Sequence, residues 1–351
     1  MSCSSRIKVV HAIPYDGIGG VETAARSLVD GVYDDIDFSK LYLVDKSDHP
    51  DTNTYTSENH PLAYWAALRT LCARNPDVLV ASLWRSCAVL IAFKLLRPRT
   101  PVVTFLHLPV DVHWLDWALN RLAMLLSREI WCDSQTTLVT RVPKVLRRRT
   151  RVISFLVHRL SAPVERPVGP SFIFWGRLHP QKGLIRALRL FARVRETQSG
   201  AAFHIVGPDG GERAALDEEV TRLGLQPCVH FHGAMAQPDI FSLARGFAFY
   251  LQTSVSEGMA LSVVEAMQLG LVPVVTAVGE IGRYCVHEKN ALIVDRDEDA
   301  VKLIIEMLSD GQRYQAMSRR AVATLADQPL YAESVLSACR GIFEPKMAQD
   351  H

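Results

Sequence analysis

Two glutamates eight positions apart, Glu257 and Glu265, lie in the stretch Ser-Val-Ser-Glu-Gly-Met-Ala-Leu-Ser-Val-Val-Glu. The pattern predicts a loop through Gly258, Met259 and Ala260, a helix from Leu261 to Leu269, and a buried Val-Val strand opened by Pro273. At 1.5 Å rise per residue, Glu265 stands roughly 6 Å along the axis from the helix start, so two carboxylates frame one helix N-terminus. Free N–H groups from Gly258 to Leu261 favour an anion such as a phosphate. A carboxylate farther in can accept two hydrogen bonds from a ribose diol, as acidic residues do in dinucleotide sites. Together these parts suit a nucleotide-sugar. Glutamates at this spacing also occur by chance on exposed helix faces, so the spacing alone does not establish function.

Cations are placed to match. Gly176-Arg177-Leu178-His-Pro-Gln-Lys182-Gly183 follows a predicted strand, Ser171 to Trp175. Arginine offers a planar fork and lysine a point charge, so a pair five apart in a glycine-bounded loop can neutralise a diphosphate; a solvated turn is the structural alternative. Of the twelve histidines, His107 ends the β-rich run Pro101 to His107 at a strand's C-terminal edge, where ligands bind in open α/β sheets. A histidine capping a strand is also a common structural feature. Near the N-terminus, Gly17-Ile-Gly19-Gly20-Val-Glu22 joins a strand, Arg6 to Ile13, to a helix, Val21 to Val32. Such a loop presents amides to a phosphate or admits a close ligand. It is not the dinucleotide fingerprint, because no third glycine falls at the required offset and the strand near Lys40 to Val44 lacks a clear ribose acid.

These residues need elements to hold them. Helices near Ala63 to Arg74 and Arg85 to Leu96 alternate with strands at Val78 to Ser82 and Glu129 to Cys132, then a helix at Thr136 to Leu146 and a strand at Val152 to Leu156. The Pro-rich run His158 to Pro170 reads as a domain boundary. Beyond it, strands at Phe203 to Val206, Val229 to Gly233 and Gly246 to Leu251 alternate with helices at Leu184 to Glu196 and Glu212 to Leu223. Helices near Glu298 to Ser309 and Gln312 to Leu325 complete the core. The alternation predicts an α/β protein with two doubly wound parallel-sheet domains, 1–165 and 166–330, and a terminal helix in 331–351.

The stretch from Ser254 resembles the Glu-x7-Glu signature of the retaining glycosyltransferases of family 4, which have the GT-B fold: two Rossmann-like domains facing a central cleft. The loop at 176–183 resembles that family's Gly-Arg-Leu-x-x-x-Lys-Gly element, and Gly19-Gly20-Val-Glu22 its Gly-Gly-x-Glu loop. The resemblance covers nearly the whole chain and is strongest from Phe172 to Asp295. It implies that Glu257 contacts the donor sugar, Glu265 holds the ribose, and Arg177 and Lys182 stabilise the leaving nucleotide. It places Gly19 and Gly20 opposite the donor, makes His107 a sugar contact, and lets Gly233 and Ala234 offer backbone atoms to the base. The chain departs from the family at Met259 and Ala260, where an aromatic or Leu and then Gly or Pro are usual. The implied activity is transfer of a hexose of mannose or glucose type from a UDP- or GDP-sugar to a glycan or lipid-linked acceptor, in cell-surface polysaccharide or lipopolysaccharide assembly. A GT-B epimerase or phosphorylase, or a non-catalytic nucleotide-sugar-binding module, would use the same clefts. No cofactor and no metal are expected, since the basic pair substitutes for a cation. Asp35-Ile-Asp37 and Asp295-Arg-Asp297 match the Asp-x-Asp of metal-dependent transferases but sit outside the inferred cleft, and His230 and His232 lack a third ligand.

With 351 residues and 48% hydrophobic content, the chain can build two cores. No apolar run approaches the ~18 residues of a membrane span, and Met1 to Lys8 lacks a signal-peptide hydrophobic region, so a cytoplasmic location is expected. Scattered cysteines without a Cys-x-x-Cys pair predict reduced thiols. Net charge is +2, yet the half through Leu160 has 20 basic and 15 acidic residues against 19 and 22 in the remainder. The excess gathers between Arg141 and Arg151. That run reads equally as a solvated helix end or as a patch for anionic lipid headgroups on the inner face of the plasma membrane. A helix opened by His113-Trp114-Leu115 and Trp117 is either core or part of a membrane-facing surface. Nucleic acid is not an expected partner, with no aromatic-interleaved basic strand and no reading helix.

Overall fold

The computed structural model describes residues 6–16, 20–44, 60–162, 165 and 168–343. They fall into two compact units, one ending at Val157 and resuming at Pro329, the other running from His158 to Gln328. Each unit is built on its own sheet.

The first unit contains β1 (Ile7–Tyr15), β2 (Gly31–Tyr33), β3 (Ile36–Val44), β4 (Val78–Ser82), β5 (Val102–Leu106), β6 (Glu129–Cys132) and β7 (Thr150–Val152). Their order is β2-β3-β1-β4-β5-β6-β7, parallel throughout except for the β2–β3 pair. Every residue of β4 and β5 is buried, as expected of parallel strands covered on both faces. The helix predicted over Val21 to Val32 is shorter, Gly20–Ser27, because the chain turns at Asp34 (φ 54°) into an antiparallel edge hairpin. The helix predicted over Thr136 to Leu146 also divides. Pro143 stops it, leaving Gln135–Arg141 and a separate 3-10 turn, Lys144–Arg149, so that β7 begins two residues earlier than expected. The terminal helix Tyr331–Gly341 packs in this unit: Tyr331 N–H donates to Leu156 O at 2.7 Å and its ring meets Phe155 and Phe105.

The second unit contains β8 (Ser171–Trp175), β9 (Ala202–Val206), β10 (Val229–Gly233), β11 (Phe249–Gln252), β12 (Val272–Val275) and β13 (Leu292–Ile293). They are all parallel, in the order β10-β9-β8-β11-β12-β13. Successive strands run outward in one direction from β8 and in the other from β11. The strand order thus reverses between these two central strands, and their carboxyl ends are the place where open α/β sheets bind ligands. Helix Leu184–Thr197 presents Leu184, Ala187, Leu188, Phe191 and Val194 to the sheet at helical spacing, and Phe172 stacks on Phe249 beneath it.

Two glycines hold the loops at this end of the sheet together. Gly183 lies at φ +66°, and a Cβ there would stand 2.0 Å from Thr253 O; Gly279, at φ +58°, would meet Glu257 O at the same distance. Only glycine permits both the left-handed backbone and the close approach. The first contact brings the β8 loop against the β11 loop, where Thr253 Oγ1 also donates to Gly183 O at 2.7 Å.

Candidate active site

The β8 loop is built to aim Lys182. His179 Nδ1 accepts from Gln181 N–H at 3.2 Å, closing a 3-10 turn over Pro180–Lys182. Gln181 then ties this turn to the β11 loop twice, donating through Nε2 to Ser256 O at 2.7 Å and accepting from Val255 N–H at 2.8 Å. The result is an ion pair, Lys182 Nζ to Glu257 Oε1 at 2.7 Å. Two further donors reach the same oxygen: Ser254 Oγ at 2.7 Å and Gln252 Nε2 at 2.9 Å. Glu257 is buried, and its Oε2 has no hydrogen-bond partner among the described residues. A carboxylate fixed through one oxygen leaves the other as an acceptor for a ligand.

Arg177 is exposed and has no hydrogen-bond or ion-pair partner among the described residues. Its backbone is nevertheless held, because Leu178 N–H donates to Pro208 O at 2.9 Å and Gly210 N–H to Leu178 O at 2.8 Å. The stem packs on Gly210, where a Cβ would come within 2.6 Å of Arg177 Cγ. A guanidinium on an anchored stem with an uncommitted head is suited to bidentate capture of a phosphate.

Helix Leu261–Gln268 opens beside this pair without a side-chain cap. Neither Leu261 nor Ser262 finds an acceptor for its N–H among the described residues, so two donors and the positive helix end remain unused. Gly258 O accepts from Glu280 N–H at 3.0 Å and Met259 O from the Tyr284 hydroxyl at 2.9 Å, which fixes the loop's path. Ala260 occupies the left-handed region (φ 55°, ψ 67°). A Cβ in that conformation costs about 1 kcal/mol, so Ala260→Gly is expected to raise the unfolding free energy by about that amount. Urea unfolding checks this, and an unchanged or lower stability would show that packing of the buried methyl outweighs the strain.

Glu265 lies one turn inside the helix, with Oε2 accepting from Trp175 Nε1 at 2.8 Å and Oε1 from Gln237 Nε2 at 2.6 Å. Burial lifts its carboxyl to about 7, partly opposed by these two hydrogen bonds. A buried chain links the two glutamates' surroundings: Gln252, which donates to Glu257, has its Oε1 2.5 Å from the Tyr250 hydroxyl, itself 2.8 Å from Ser262 Oγ. Gly233 ends β10 at φ +70°, and its carbonyl takes the Gly207 N–H at 2.7 Å; Ala234 beyond it is exposed.

Residues 163–323 match the family model described as Glycosyl transferases group 1. They form a glycosyltransferase group 1 domain. The chain is 27% identical over 186 residues to the protein named Uncharacterized glycosyltransferase YqgM of Bacillus subtilis (strain 168), covering 51% of this chain and 52% of that one. It is 26% identical over 142 residues, 40% of this chain and 37% of the relative, to GDP-mannose:cellobiosyl-diphosphopolyprenol alpha-mannosyltransferase of Xanthomonas campestris. The chain thus spans about half or less of these curated relatives. Among solved structures, Anabaena Alr3699/HepE in complex with UDP-glucose superposes with a TM-score of 0.74 at 18% identity, over 96% of this chain and all of that one. That likeness shows the fold, GT-B.

Four residues that hold the two glutamates of the glycosyltransferase group 1 domain escape a reading of sequence alone: Gln252 and Ser254 at Glu257, Trp175 and Gln237 at Glu265. Trp175 and Gln252 end the two central strands, and that position was their available signal. Gln237 sits at the start of helix Gln237–Ala244, which sequence periodicity did not predict although Pro238 marks its first turn. The Asp-x-Asp triplets are engaged elsewhere, Asp297 by Arg186 at 2.9 Å in this domain and Asp35 by Arg340 at 2.8 Å in the first unit. His204 completes a cluster with His230 and His232, its Nδ1 2.9 Å from His232 Nε2, yet no metal-holding group of His, Cys, Asp or Glu occurs among the described residues.

The remaining predicted residues belong to the first unit. His107, one residue beyond β5, is buried, with Nε2 2.8 Å from Ser82 Oγ; His11 Nε2 approaches the same oxygen at 2.7 Å. Burial holds both imidazoles neutral, His11 down at about 3 and His107 well below its ordinary value. A hydroxyl has one proton, so Ser82 donates to one ring and accepts from the other. His107 Nδ1 is left without a partner. Gly20 opens helix Gly20–Ser27 and is exposed, whereas Gly19 lies outside the described residues.

Proposed function

We propose that the protein is a retaining, metal-independent glycosyltransferase that moves a hexose of mannose or glucose type from a UDP- or GDP-sugar to a glycan or lipid-linked acceptor, in assembly of cell-surface polysaccharide or lipopolysaccharide. The observation that carries this reading is the convergence, at the carboxyl ends of β8 and β11, of an uncommitted guanidinium, the Lys182–Glu257 pair and an uncapped helix N-terminus. Transfer breaks the bond between the sugar's anomeric carbon and the nucleotide's terminal phosphate, and negative charge grows on that phosphate. Arg177, Lys182 and the Leu261 and Ser262 N–H groups stabilise this charge before the reaction begins, the arrangement that lowers a barrier most. Glu257 Oε2 takes a hydroxyl of the transferred sugar, and Glu265 takes the ribose. In the first unit, His107 is the residue that the resemblance makes a sugar contact; its Nδ1 is unpartnered but buried, so such a contact needs the ring to become exposed.

The relatives support the class of donor and acceptor. The Xanthomonas protein's name specifies GDP-mannose and a diphosphopolyprenol-linked acceptor, and the Anabaena protein was solved with UDP-glucose. A panel of UDP-, GDP- and ADP-sugars, with free nucleotide measured against glycosylated product, tests the proposal. Stoichiometric release is expected, at nearly equal rates in EDTA and in magnesium. Binding or epimerisation without release would exclude transfer, and abolition by EDTA with rescue by metal would exclude the metal-free mechanism.

A further inference from the structure

Helix Trp114–Leu126 faces the wrong way for an ordinary surface helix, which buries its apolar stripe. Its inward side carries Asp116 and Asn120 beside Ala123 and Met124, all buried. The inward polar groups are satisfied. Asp116 Oδ2 accepts from Val112 N–H at 2.8 Å, its Oδ1 lies 3.7 Å from the Arg141 guanidinium, and Asn120 Nδ2 donates to Asp116 O at 2.8 Å. By helical spacing, Trp114, Trp117, Arg121 and Leu125 share the opposite side. The three apolar members are 77%, 51% and 61% exposed, and the loop before the helix adds exposed Val110 and Val112. An apolar stripe of this kind marks an interaction surface.

Charge selects the occupant. Residues 84–157 hold twelve arginines and lysines against four aspartates and glutamates. All four acids are engaged inside the unit: Asp111 and Asp116 with Arg141, Glu129 with Arg151, and Asp133 with Ser134. The stripe itself carries a cation, Arg121, whose guanidinium lies 5.9 Å from the Trp117 ring centroid and has no carboxylate partner among the described residues. The run from Arg141 to Arg151 is a poorer candidate than its composition suggested. Arg141 is buried, Arg147 donates to Val139 O at 2.7 Å and Arg149 to Ser127 O at 2.9 Å. Indole rings settle at the boundary between headgroups and acyl chains, and an adjacent arginine meets anionic headgroups there. No helix among the described residues is long and apolar enough to cross a membrane, so contact is with the surface.

We propose that the outward stripe of helix Trp114–Leu126, led by Trp114 and Trp117, docks the protein on a bilayer surface with anionic headgroups. The surface lies wholly in the first unit and needs none of the second unit's chemistry.

Flotation of the full chain with vesicles tests this, using phosphatidylcholine alone and an equal mixture of phosphatidylcholine and phosphatidylglycerol. Binding is expected on the anionic vesicles, with a blue shift of tryptophan emission. The double variant Trp114→Ser/Trp117→Ser should lower vesicle affinity about tenfold or more, with thermal unfolding unchanged, because each lost indole removes apolar area from the interface. Leu125→Glu, which keeps both indoles, should weaken binding as well. Failure of the parent chain to float, or equal binding by the double variant, would overturn the proposal. So would tryptophan-dependent self-association without vesicle binding, which would assign the stripe to a second copy of the chain.

Discussion

Arg177→Ala is expected to reduce turnover by two to three orders of magnitude while leaving stability unchanged. The guanidinium has no partner among the described residues, so the folded state loses only the stem's packing on Gly210. In the transition state it would lose a preorganised charge donor, typically about 3 to 4 kcal/mol. Lys182→Ala should slow turnover comparably but also lower stability by about 1 to 3 kcal/mol, because buried Glu257 would retain only the neutral donors Ser254 and Gln252. Initial rates set beside urea unfolding separate the two outcomes. Near-parental turnover in either variant would remove that residue from the mechanism. An equal loss of stability in both would mean that Arg177 has a structural partner on which the fold depends.

Arg177, Lys182 and Glu257 could be found in the sequence because each sits in a loop punctuated by glycine, and Glu265 because it stands eight residues beyond Glu257 in the helix that follows. Gly183 and Gly279, whose Cβ atoms would collide with Thr253 and Glu257 backbone, mark where those loops touch. The strands were legible for a related reason. Covered parallel strands are short apolar runs, and Ser171–Trp175 and Glu129–Cys132 stand where the residues place them. Partner choice was not legible. Glu265 is held by Trp175 and Glu257 by Lys182 because β8 and β11 are neighbours in the sheet, which follows from strand order and not from local pattern. The run from Arg141 to Arg151 shows the same limit. Composition advertised a basic patch, but Arg141, Arg147 and Arg149 meet carboxylates and carbonyls that are distant in sequence or exposed only by the break at Pro143. Conversely, the outward apolar stripe of Trp114–Leu126 was open to either reading until Asp116 and Asn120 were seen to face inward.

Glu265 gives the protein a pH dependence whose sign can be worked out. Burial raises its folded pKa to about 7, above the ordinary 4.5, so the folded state binds this proton more tightly than the unfolded chain does. The associated stability is fully present below about 4.5 and is lost as pH rises through 7. At 1.36 kcal/mol per pKa unit the loss is about 3 kcal/mol. Urea unfolding at pH 5 and pH 8 should therefore show this decline in the parent protein and a much flatter profile in Glu265→Gln. The same group would govern nucleotide binding. A ribose diol offers two donors, which the ionised carboxylate accepts best, so affinity for free nucleotide should rise from pH 6 to pH 8, and Glu265→Gln should weaken binding and remove the trend. Glu257→Gln should behave differently. In the proposed reaction its unpartnered oxygen would meet the transferred sugar, so free-nucleotide affinity should stay nearly intact while turnover falls, since contacts that strengthen only during transfer affect rate and not ground-state binding. Calorimetry with nucleotide alone, beside initial rates, measures both quantities. Loss of nucleotide binding in Glu257→Gln, or unchanged binding in Glu265→Gln, would reverse the assignment of the two carboxylates even if the protein transfers sugar.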